Sequence, residues 1–333
     1  MKIKDIGEQG LLTILQRFCP QEIVGDDAAV IATKPDRSLV ITTDMLVDGV
    51  HFSDRTTGPY YAGWRAAAAN LSDLAAMGAT PLAVTVALGV TGNTAVEWVE
   101  EFYRGMTACL QQDRAPIVGG DIVRSPVVTA AITAFGEVEG HRTIRRGNAR
   151  SGWAIVATGF HGASRAGLEL LLHSELGKKL GEVDRAALIR AHQKPNPRLD
   201  VLPVLWEILD AESKQISIAG MDSSDGLADA IVQICRASKV GARIERSRLP
   251  VPAALQSIVS PQTALNWTLY GGEDFELVLC LPPDLAEKLV QRLGNGSAIV
   301  GNITDRSDIL LVDSTGIYAE EQLTISKGFQ HFV

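Results

Sequence analysis

The chain holds little from which to build a redox centre or a disulfide framework. Its four cysteines, Cys19, Cys109, Cys235 and Cys280, are scattered, with no C-x-x-C pair and no His/Cys cluster. That excludes a zinc ribbon and leaves free thiols in a reducing compartment. Long hydrophobic runs are missing as well. Stretches such as Leu82 to Val90 fall far short of a bilayer span, and no apolar region follows Met1-Lys2-Ile3-Lys4-Asp5, so a cytoplasmic address is expected. Basic residues are in deficit: 31 Lys and Arg face 39 Asp and Glu, a formal charge of −8. A nucleic-acid binder normally carries a basic face, and bulk charge of this sign does not steer anionic substrates inward. No G-x-x-x-x-G-K-[ST] loop, G-x-G-x-x-G fingerprint, kinase H-R-D, G-x-S-x-G elbow or H-E-x-x-H occurs. A nucleotide, if bound, is held by some other device.

What the chain has instead is a set of six short acidic segments, in which aspartates stand beside glycine or hydroxyl residues. They are Gly25-Asp26-Asp27, Thr42-Thr43-Asp44, Asn70-Leu71-Ser72-Asp73, Gly119-Gly120-Asp121, Asp222-Ser223-Ser224-Asp225-Gly226 and Gly271-Gly272-Glu273-Asp274. Carboxylates gathered in such number repel one another unless cations intervene. Hard cations with oxygen ligands suit them, and Mg²⁺ carrying substrate phosphates is the commonest such use. The composition, 46% hydrophobic and 21% charged over 333 residues, is that of a soluble enzyme long enough for two domains.

Most of these segments fall where an element begins or ends. Ala28 to Ala32 and Leu39 to Thr43 read as strands, Tyr60 to Met77 as a helix stopped by Gly78, and Leu82 to Leu88 as a strand. Thr94 is placed to cap a helix reaching about Gln112; Ile117-Val118 then meets the glycine pair, and Val127 to Val138 is extended. A Gly/Arg/Asn/Ser turn at Arg145 to Gly152 marks the domain boundary, giving domains 1–148 and 149–333. In the second domain Ser224 is placed to cap an amphipathic helix, Gly226 to Ser238. Strands are expected at Trp153 to Thr158, Ile216 to Ala219, Phe275 to Leu281, Ala298 to Gly301 and Ile309 to Val312. The class is α+β, with helices covering mixed sheets.

Taken singly, each acidic segment has a plain structural reading. Gly25-Asp26-Asp27 is equally a turn, and Gly271-Gly272-Glu273-Asp274 equally a hairpin. Asn70 and Asp73 share a helix face among small residues, so Asp73 needs either a cation or a hydrogen-bond network. The glycines at 119 and 120 allow close backbone approach to a ligand. Asp222 to Gly226 offers four polar side chains where a cap needs one.

Order and wording together are more specific. Thr43-Asp44-Met45-Leu46-Val47-Asp48-Gly49-Val50-His51-Phe52, Asn70-Leu71-Ser72-Asp73-Leu74-Ala75-Ala76-Met77-Gly78-Ala79, Ser224-Asp225-Gly226-Leu227 and Gly271-Gly272-Glu273-Asp274-Phe275-Glu276-Leu277 resemble the thiamine-monophosphate kinase family. That family belongs to the aminoimidazole-ribonucleotide-synthetase-like (PurM-like) superfamily, and the resemblance runs from Gly25 to Phe329. It implies two α+β domains with the active site in the cleft between them, and a homodimer formed through the N-terminal sheet. It also implies that Asp27, Thr42, Thr43, Asp44, Asp73, Asp121, Asp222 and Asp225 ligate several Mg²⁺ ions. Gly120, Asp121, Arg146 and Ser224 would touch ATP, with Arg145 one residue from the arginine position. His51, Glu273 and Phe329 would contact thiamine monophosphate; read alone, His51 is equally a strand-end histidine and Phe329 an anchor for the tail. Val24, and Arg150-Ser151-Gly152-Trp153, depart from the family wording in turn geometry rather than in ligand chemistry.

The activity so implied is direct transfer of the ATP γ-phosphoryl group to the phosphate of thiamine monophosphate. The acceptor is largely a dianion at pH 7 and needs no protein base or nucleophile, so Asp44 and Asp121 are expected to matter most. Two alternatives stand beside it: another ATP-using PurM-like synthetase of purine or selenophosphate type, and a non-catalytic nucleotide or metal module. Cys19 lies in Arg17-Phe18-Cys19-Pro20 rather than in a glycine-rich loop, which disfavours the selenophosphate type.

Overall fold

The computed structural model describes residues 1–20, 33–213, 215–294 and 296–328. The segment Gly25-Asp26-Asp27, the strand expected at Ala28 to Ala32, and Phe329 lie outside the described residues. The chain divides into two compact units, Met1–Leu74 with Ala79–Gly140 and Ala75–Gly78 with His141–Val333.

The first unit comprises α1 (Ile3–Leu15), β1 (Arg37–Val47), α2 (Pro59–Ala76), β2 (Thr80–Val90), α3 (Val96–Leu110), β3 (Ile117–Arg124) and β4 (Thr129–Glu139). Its four strands lie in the order β1-β4-β2-β3; β3 runs parallel to β2, and the other pairings are antiparallel. Strand alternation gives the sheet two unlike faces. Leu46, Ala130, Ile132, Ala134, Val84, Val86 and Leu88 are buried. On that side Leu74 of α2 packs at Gly136. α2 and α3 cross at backbone contact, because a Cβ on Gly63 would stand 1.8 Å from the Phe102 carbonyl and one on Gly105 1.7 Å from that of Tyr60. The opposite face is open and apolar: Leu39, Ile41, Met45 and Val123 are each 50–57% exposed.

Two local expectations change here. Helix α3 starts after Ala95 with no side-chain cap, and the Thr94 hydroxyl bonds that of Thr91 at 3.0 Å instead. The glycine pair does not end its strand either, for β3 runs through Gly119-Gly120-Asp121 to Arg124, paired with Thr85 to Val90. Glycine is tolerated inside a strand where another backbone approaches closely, and a Cβ on Gly120 would fall 1.9 Å from the Val86 carbonyl oxygen.

The second unit contains β5 (Ala154–Ala157), α4 (Ala163–Leu172), α5 (Glu182–Gln193), α6 (Val201–Asp210), β6 (Ala219–Asp222) and α7 (Leu227–Ser238). It continues with β7 (Gly241–Glu245), α8 (Leu255–Ile258), α9 (Pro261–Tyr270), β8 (Leu277–Leu281), α10 (Pro283–Leu293), β9 (Ala298–Thr304), β10 (Ile309–Val312) and β11 (Glu321–Gln322). The seven strands run in the order β11-β10-β7-β9-β5-β8-β6. The amphipathic face of α7, with Leu227, Ile231, Ile234 and Cys235, is buried with Ile155, Met221, Val278, Cys280 and Ile244 in one core. A smaller cluster joins Ala166, Leu170, Leu188, Leu255 and Ala264. Helix α7 is entered through Gly226 at φ 108 with no side-chain cap, so Ser224 does not cap it. The glycine conformation makes the turn, and Ser224 is left to serve the loop.

Candidate functional site

Each unit carries a group of predicted site residues. In the first, β1 and α2 supply it. Thr42 and Asp44 point to the same face of β1, and Asn70 and Asp73 lie one helical turn apart on α2. The Thr42 hydroxyl donates a short hydrogen bond to Asp73 Oδ2. Asn70, fully buried, accepts from the Asp44 main-chain N–H at 3.2 Å and donates to the Ala66 carbonyl at 3.0 Å. The amide thus works as a bracket between strand and helix, and Thr42, Asp44 and Asp73 are brought together around it. Two carboxylates and a hydroxyl are hard oxygen donors of the kind Mg²⁺ takes.

Thr43 and Asp121 are not part of this group. Thr43 faces the other way and its hydroxyl meets that of Thr133 at 2.9 Å on the open face. Asp121 pairs in register with Ala87, and through Ala131 with Met45, which is the open row. It lies three strands from β1, roughly 14 Å at the usual spacing between strands. Its Oδ1 accepts from the N–H of Ile122 at 2.9 Å. Gly120 shares the row of Asp44 across the sheet, and its lack of a side chain answers to Val86. Among the described residues no three His, Cys, Asp or Glu side chains form a group that could hold a metal ion. Asp27, expected among the ligands, lies outside the described residues.

His51 sits just beyond β1. Its Nδ1 accepts from the Val47 N–H at 3.1 Å, which puts the proton of the neutral ring on Nε2, and its carbonyl accepts from buried Arg65 at 3.3 Å.

In the second unit two loops are joined, Asp222–Gly226 after β6 and Gly271–Glu276 before β8. The Glu273 N–H donates to the Ser224 carbonyl at 2.6 Å, and the Ser223 N–H to the Glu276 carbonyl at 2.8 Å. A Cβ on Gly272 would stand 2.5 Å from the Ser224 carbonyl oxygen, so glycine is needed there for the contact. Glu273 and Phe275 both hold positive φ, 69° and 52°, a strained conformation that persists only where the surroundings over-determine it. Asp222 is buried and accepts from Ser224 Oγ at 3.4 Å, while Asp225 is exposed.

Glu273 and Asp274 divide their work. Asp274 turns inward and accepts from the Gly162 and Ser164 N–H groups at 2.6 and 2.8 Å, so it anchors the first turn of α4. Burial pushes its pKa up to about 7, against the pull of those two donors. Glu273 stays 35% exposed, with His192 Nδ1 at 4.0 Å. Arg146 is exposed and donates to Gln233 of α7 at 2.6 Å. The tail comes to this region as well: Lys327 lies over the Tyr270 ring, and a Cβ on Gly328 would be 3.5 Å from the Asp225 carbonyl.

Sequence reasoning missed the layer beneath these loops. Arg198 bonds Glu276, the Thr158 carbonyl and Asp200, and Thr158 Oγ1 donates to Glu276 at 2.6 Å. Burial raises the Glu276 pKa and Arg198 opposes the rise. Buried His161 touches Ser223. Nothing local marks Arg198 or His161 in the sequence; Glu276 alone stood within a quoted motif.

The chain matches two family models, AIR synthase related protein, N-terminal domain, over residues 25–138, and AIR synthase related protein, C-terminal domain, over residues 150–313. It is 49% identical over 332 residues to the thiamine-monophosphate kinase of Synechococcus elongatus, covering 99% of this chain and 98% of that protein. The thiamine-monophosphate kinase of Escherichia coli K12 is 34% identical, covering 93% and 91%. Among solved structures, AaThiL complexed with AMPPCP and TMP superposes with a TM-score of 0.73 at 28% identity, covering 97% of this chain and 98% of that one. Hydrogenase maturation protein HypE in complex with ATP, at 19% identity and a TM-score of 0.74, shares the fold.

Proposed function

The chain belongs to the thiamine-monophosphate kinase family of AIR-synthase-related proteins, and from that premise we propose that it phosphorylates thiamine monophosphate to thiamine diphosphate with ATP. What carries this reading is the full-length likeness to the Synechococcus elongatus enzyme, at 49% identity. The Thr42, Asp44 and Asp73 group supplies what the chemistry needs.

The difficulty of the reaction is electrostatic. Two polyanions must meet end to end, and two unit charges 4 Å apart at an effective dielectric of ~20 repel by about 4 kcal/mol. Mg²⁺, when bound, supplies the compensating charge on the phosphates. Asp44 and Asp73 hold it with the Thr42 hydroxyl, and Asn70 keeps the backbone of Asp44 in place. Asp222 and Asp225 offer a second pair of carboxylates, and Asp27 is a further ligand that the family resemblance implies; Thr43 and Asp121, which the resemblance also implies, face the open side of the sheet, away from Thr42, Asp44 and Asp73. Ser224, Gly120 and Arg146 address the nucleotide, and His51, Glu273 and Phe329 the thiamine phosphate. No side chain has to remove a proton, because the acceptor is already largely a dianion at pH 7.

The open face of the first sheet fits a second copy of the chain. Leu39, Ile41 and Met45 of β1 and Val123 of β3 are exposed apolar residues on this face of the sheet, beside Thr43 and Asp121, and the reading includes a homodimer through it. Ile41→Glu is expected to give a monomer in sedimentation, and an unchanged dimer would refute this interface. The cytoplasmic address is part of the same reading, supported by four free cysteines, three of them buried.

The test of the activity mixes the protein with Mg-ATP and thiamine monophosphate and assays thiamine diphosphate as its thiochrome. Product that requires both the monophosphate and the metal is expected. Its absence, with ATP still bound, would move the search to other acceptors.

A further inference from the structure

Beneath the Asp222–Gly226 loop lies His161, wholly buried. All four of its polar atoms are engaged. Its N–H donates to the Pro250 carbonyl at 3.0 Å, and its carbonyl accepts from Thr268 Oγ1 at 3.2 Å. Nδ1 lies 3.1 Å from the Gly159 carbonyl and Nε2 3.0 Å from Ser223 Oγ. A carbonyl can only accept, so Nδ1 carries the proton and Nε2 accepts from the Ser223 hydroxyl. Burial pushes the imidazole pKa down to about 4, so the ring stays neutral through the physiological range.

Ser223 is itself 1% exposed and turns away from the side chains proposed to meet ligand. Its N–H and carbonyl are both tied, to the Glu276 carbonyl at 2.8 Å and the Gly226 N–H at 3.0 Å. The two adjacent serines therefore do different things, half-buried Ser224 bonding Asp222 within the loop and Ser223 pegging the loop to His161. The loop has need of a peg, since it leaves through Gly226 at φ 108 and abuts Glu273 and Phe275, which are both strained. An apolar residue would fill the His161 position without placing a polar group in the core. What the histidine adds is a fixed acceptor for Ser223.

We infer that His161, acting through Ser223, is a positioning residue that holds the Asp222–Gly226 loop in the geometry that receives Mg-ATP. The inference rests on the kinase reading for its purpose, but binding can test it alone. Small displacements of groups that hold a reactant are expensive in function even when the fold survives.

The test titrates Mg-AMPPCP calorimetrically into the full chain and its variants His161→Leu, Ser223→Ala, the pair combined, and His161→Gln. Loss of one hydrogen bond to a positioned group is expected to weaken binding about tenfold in either single variant. The double variant should be no worse than the worse single, and His161→Gln, whose amide oxygen can accept from Ser223, should recover most of the affinity. Leu170→Ala, which opens the smaller core of the same unit, serves as the stability control. It should lower the melting temperature while leaving Mg-AMPPCP affinity within about twofold, as destabilisation alone does not select for the loop. Additive effects in the double variant, or equal loss of binding in Leu170→Ala, would overturn the positioning role. If His161→Leu does not fold, the smaller change Ser223→Ala decides, and wild-type affinity in it overturns the inference. Wild-type protein that binds Mg-AMPPCP but makes no thiamine diphosphate would defeat the kinase reading and leave the positioning role to the binding data. Wild-type protein that fails to bind Mg-AMPPCP would defeat both.

Discussion

Gly119 and Gly120 are neighbours in one motif, yet replacing them by alanine should have very different consequences. A Cβ at 120 would stand 1.9 Å from the Val86 carbonyl oxygen, 2.8 Å from its carbon and 3.1 Å from its nitrogen. These are main-chain atoms of the adjoining strand and cannot rotate aside. Ordinary contact begins at 3.4 Å, so relief needs β3 to move from β2 by about 1.5 Å (3.4 minus 1.9). That movement breaks the parallel pairing from Val86–Gly120 onward. Overpacking against yielding side chains costs about 1–3 kcal/mol, and a rigid backbone puts Gly120→Ala at or above the upper end. At roughly 2–4 °C per kcal/mol for a domain of this size, a loss of about 3 kcal/mol lowers the melting temperature by about 6–12 °C. A Cβ at 119, by contrast, meets only Thr85 Cγ2 at 4.0 Å. Gly119→Ala should stay within about 0.5 kcal/mol of wild type. Thermal melts of the full chain decide the matter. Were Gly120→Ala to melt within a degree of wild type, or Gly119→Ala to fall as far, the packing account of this motif would be refuted.

Other outcomes follow from the same structure. Asp44→Asn and Asp73→Asn should each lower thiamine diphosphate formation by about 10²-fold or more with the fold intact, as expected when charge-stabilising groups are lost; near-normal turnover in both would contradict the metal-holding role. Arg198→Leu leaves Glu276 buried without its cation and should cost about 3–5 kcal/mol, while the added change Glu276→Gln should restore much of it. An unrescued double variant in chemical denaturation would oppose that pairing. Asp274 and His161 pull the pH dependence of stability in opposite directions. The raised Asp274 pKa means that the folded state holds its proton more tightly, so its contribution is fullest below the unfolded value near 4 and is lost as pH rises toward about 7. The depressed His161 pKa makes its contribution full above about 6.5 and lost as pH falls toward about 4. His161→Gln should therefore leave a stability that falls as pH rises from 4 to 7, and an unchanged denaturation profile would argue against the buried neutral ring.

Much of the fold was open to reading because periodicity reports burial. Helix α2 and the amphipathic α7 carry clean apolar patterns, and their observed limits lie close to the expected ones, whereas β1, expected over Leu39 to Thr43, runs on to Val47 because Asp44 stays paired with Ile132 of β4 instead of ending the strand. Helix α5 was not read, since within Glu182–Gln193 the described buried positions are Leu188 and His192 only, too sparse for a period to show. The capping expectations for Thr94 and Ser224 failed because a hydroxyl near a helix start has other partners available, Thr91 for the one and Asp222 for the other. The acidic motifs named the right loops but not their division of labour. Glu273 and Asp274 are adjacent and chemically alike, and only the donors of α4 turn one inward. His161 and Arg198 are isolated polar residues in sequence, and their meaning comes from partners 62 and 78 positions away.

The run Thr42-Thr43-Asp44 has a consequence for how the protein can change. β1 pairs with β4 over its whole length without a bulge, so its side chains alternate strictly between a chemical side and an apolar outer side. Deleting Ile41 would put the two halves of the strand out of step: with Leu39 kept on the outer side Asp44 turns outward, and with Asp44 kept on its own side Leu39 turns inward; deleting two residues would restore the parity. The strand therefore admits change by substitution far more readily than by length. A substitution on either side is insulated from the other by the thickness of one backbone, so the surface of the sheet and the chemistry behind it are free to drift independently, one residue apart.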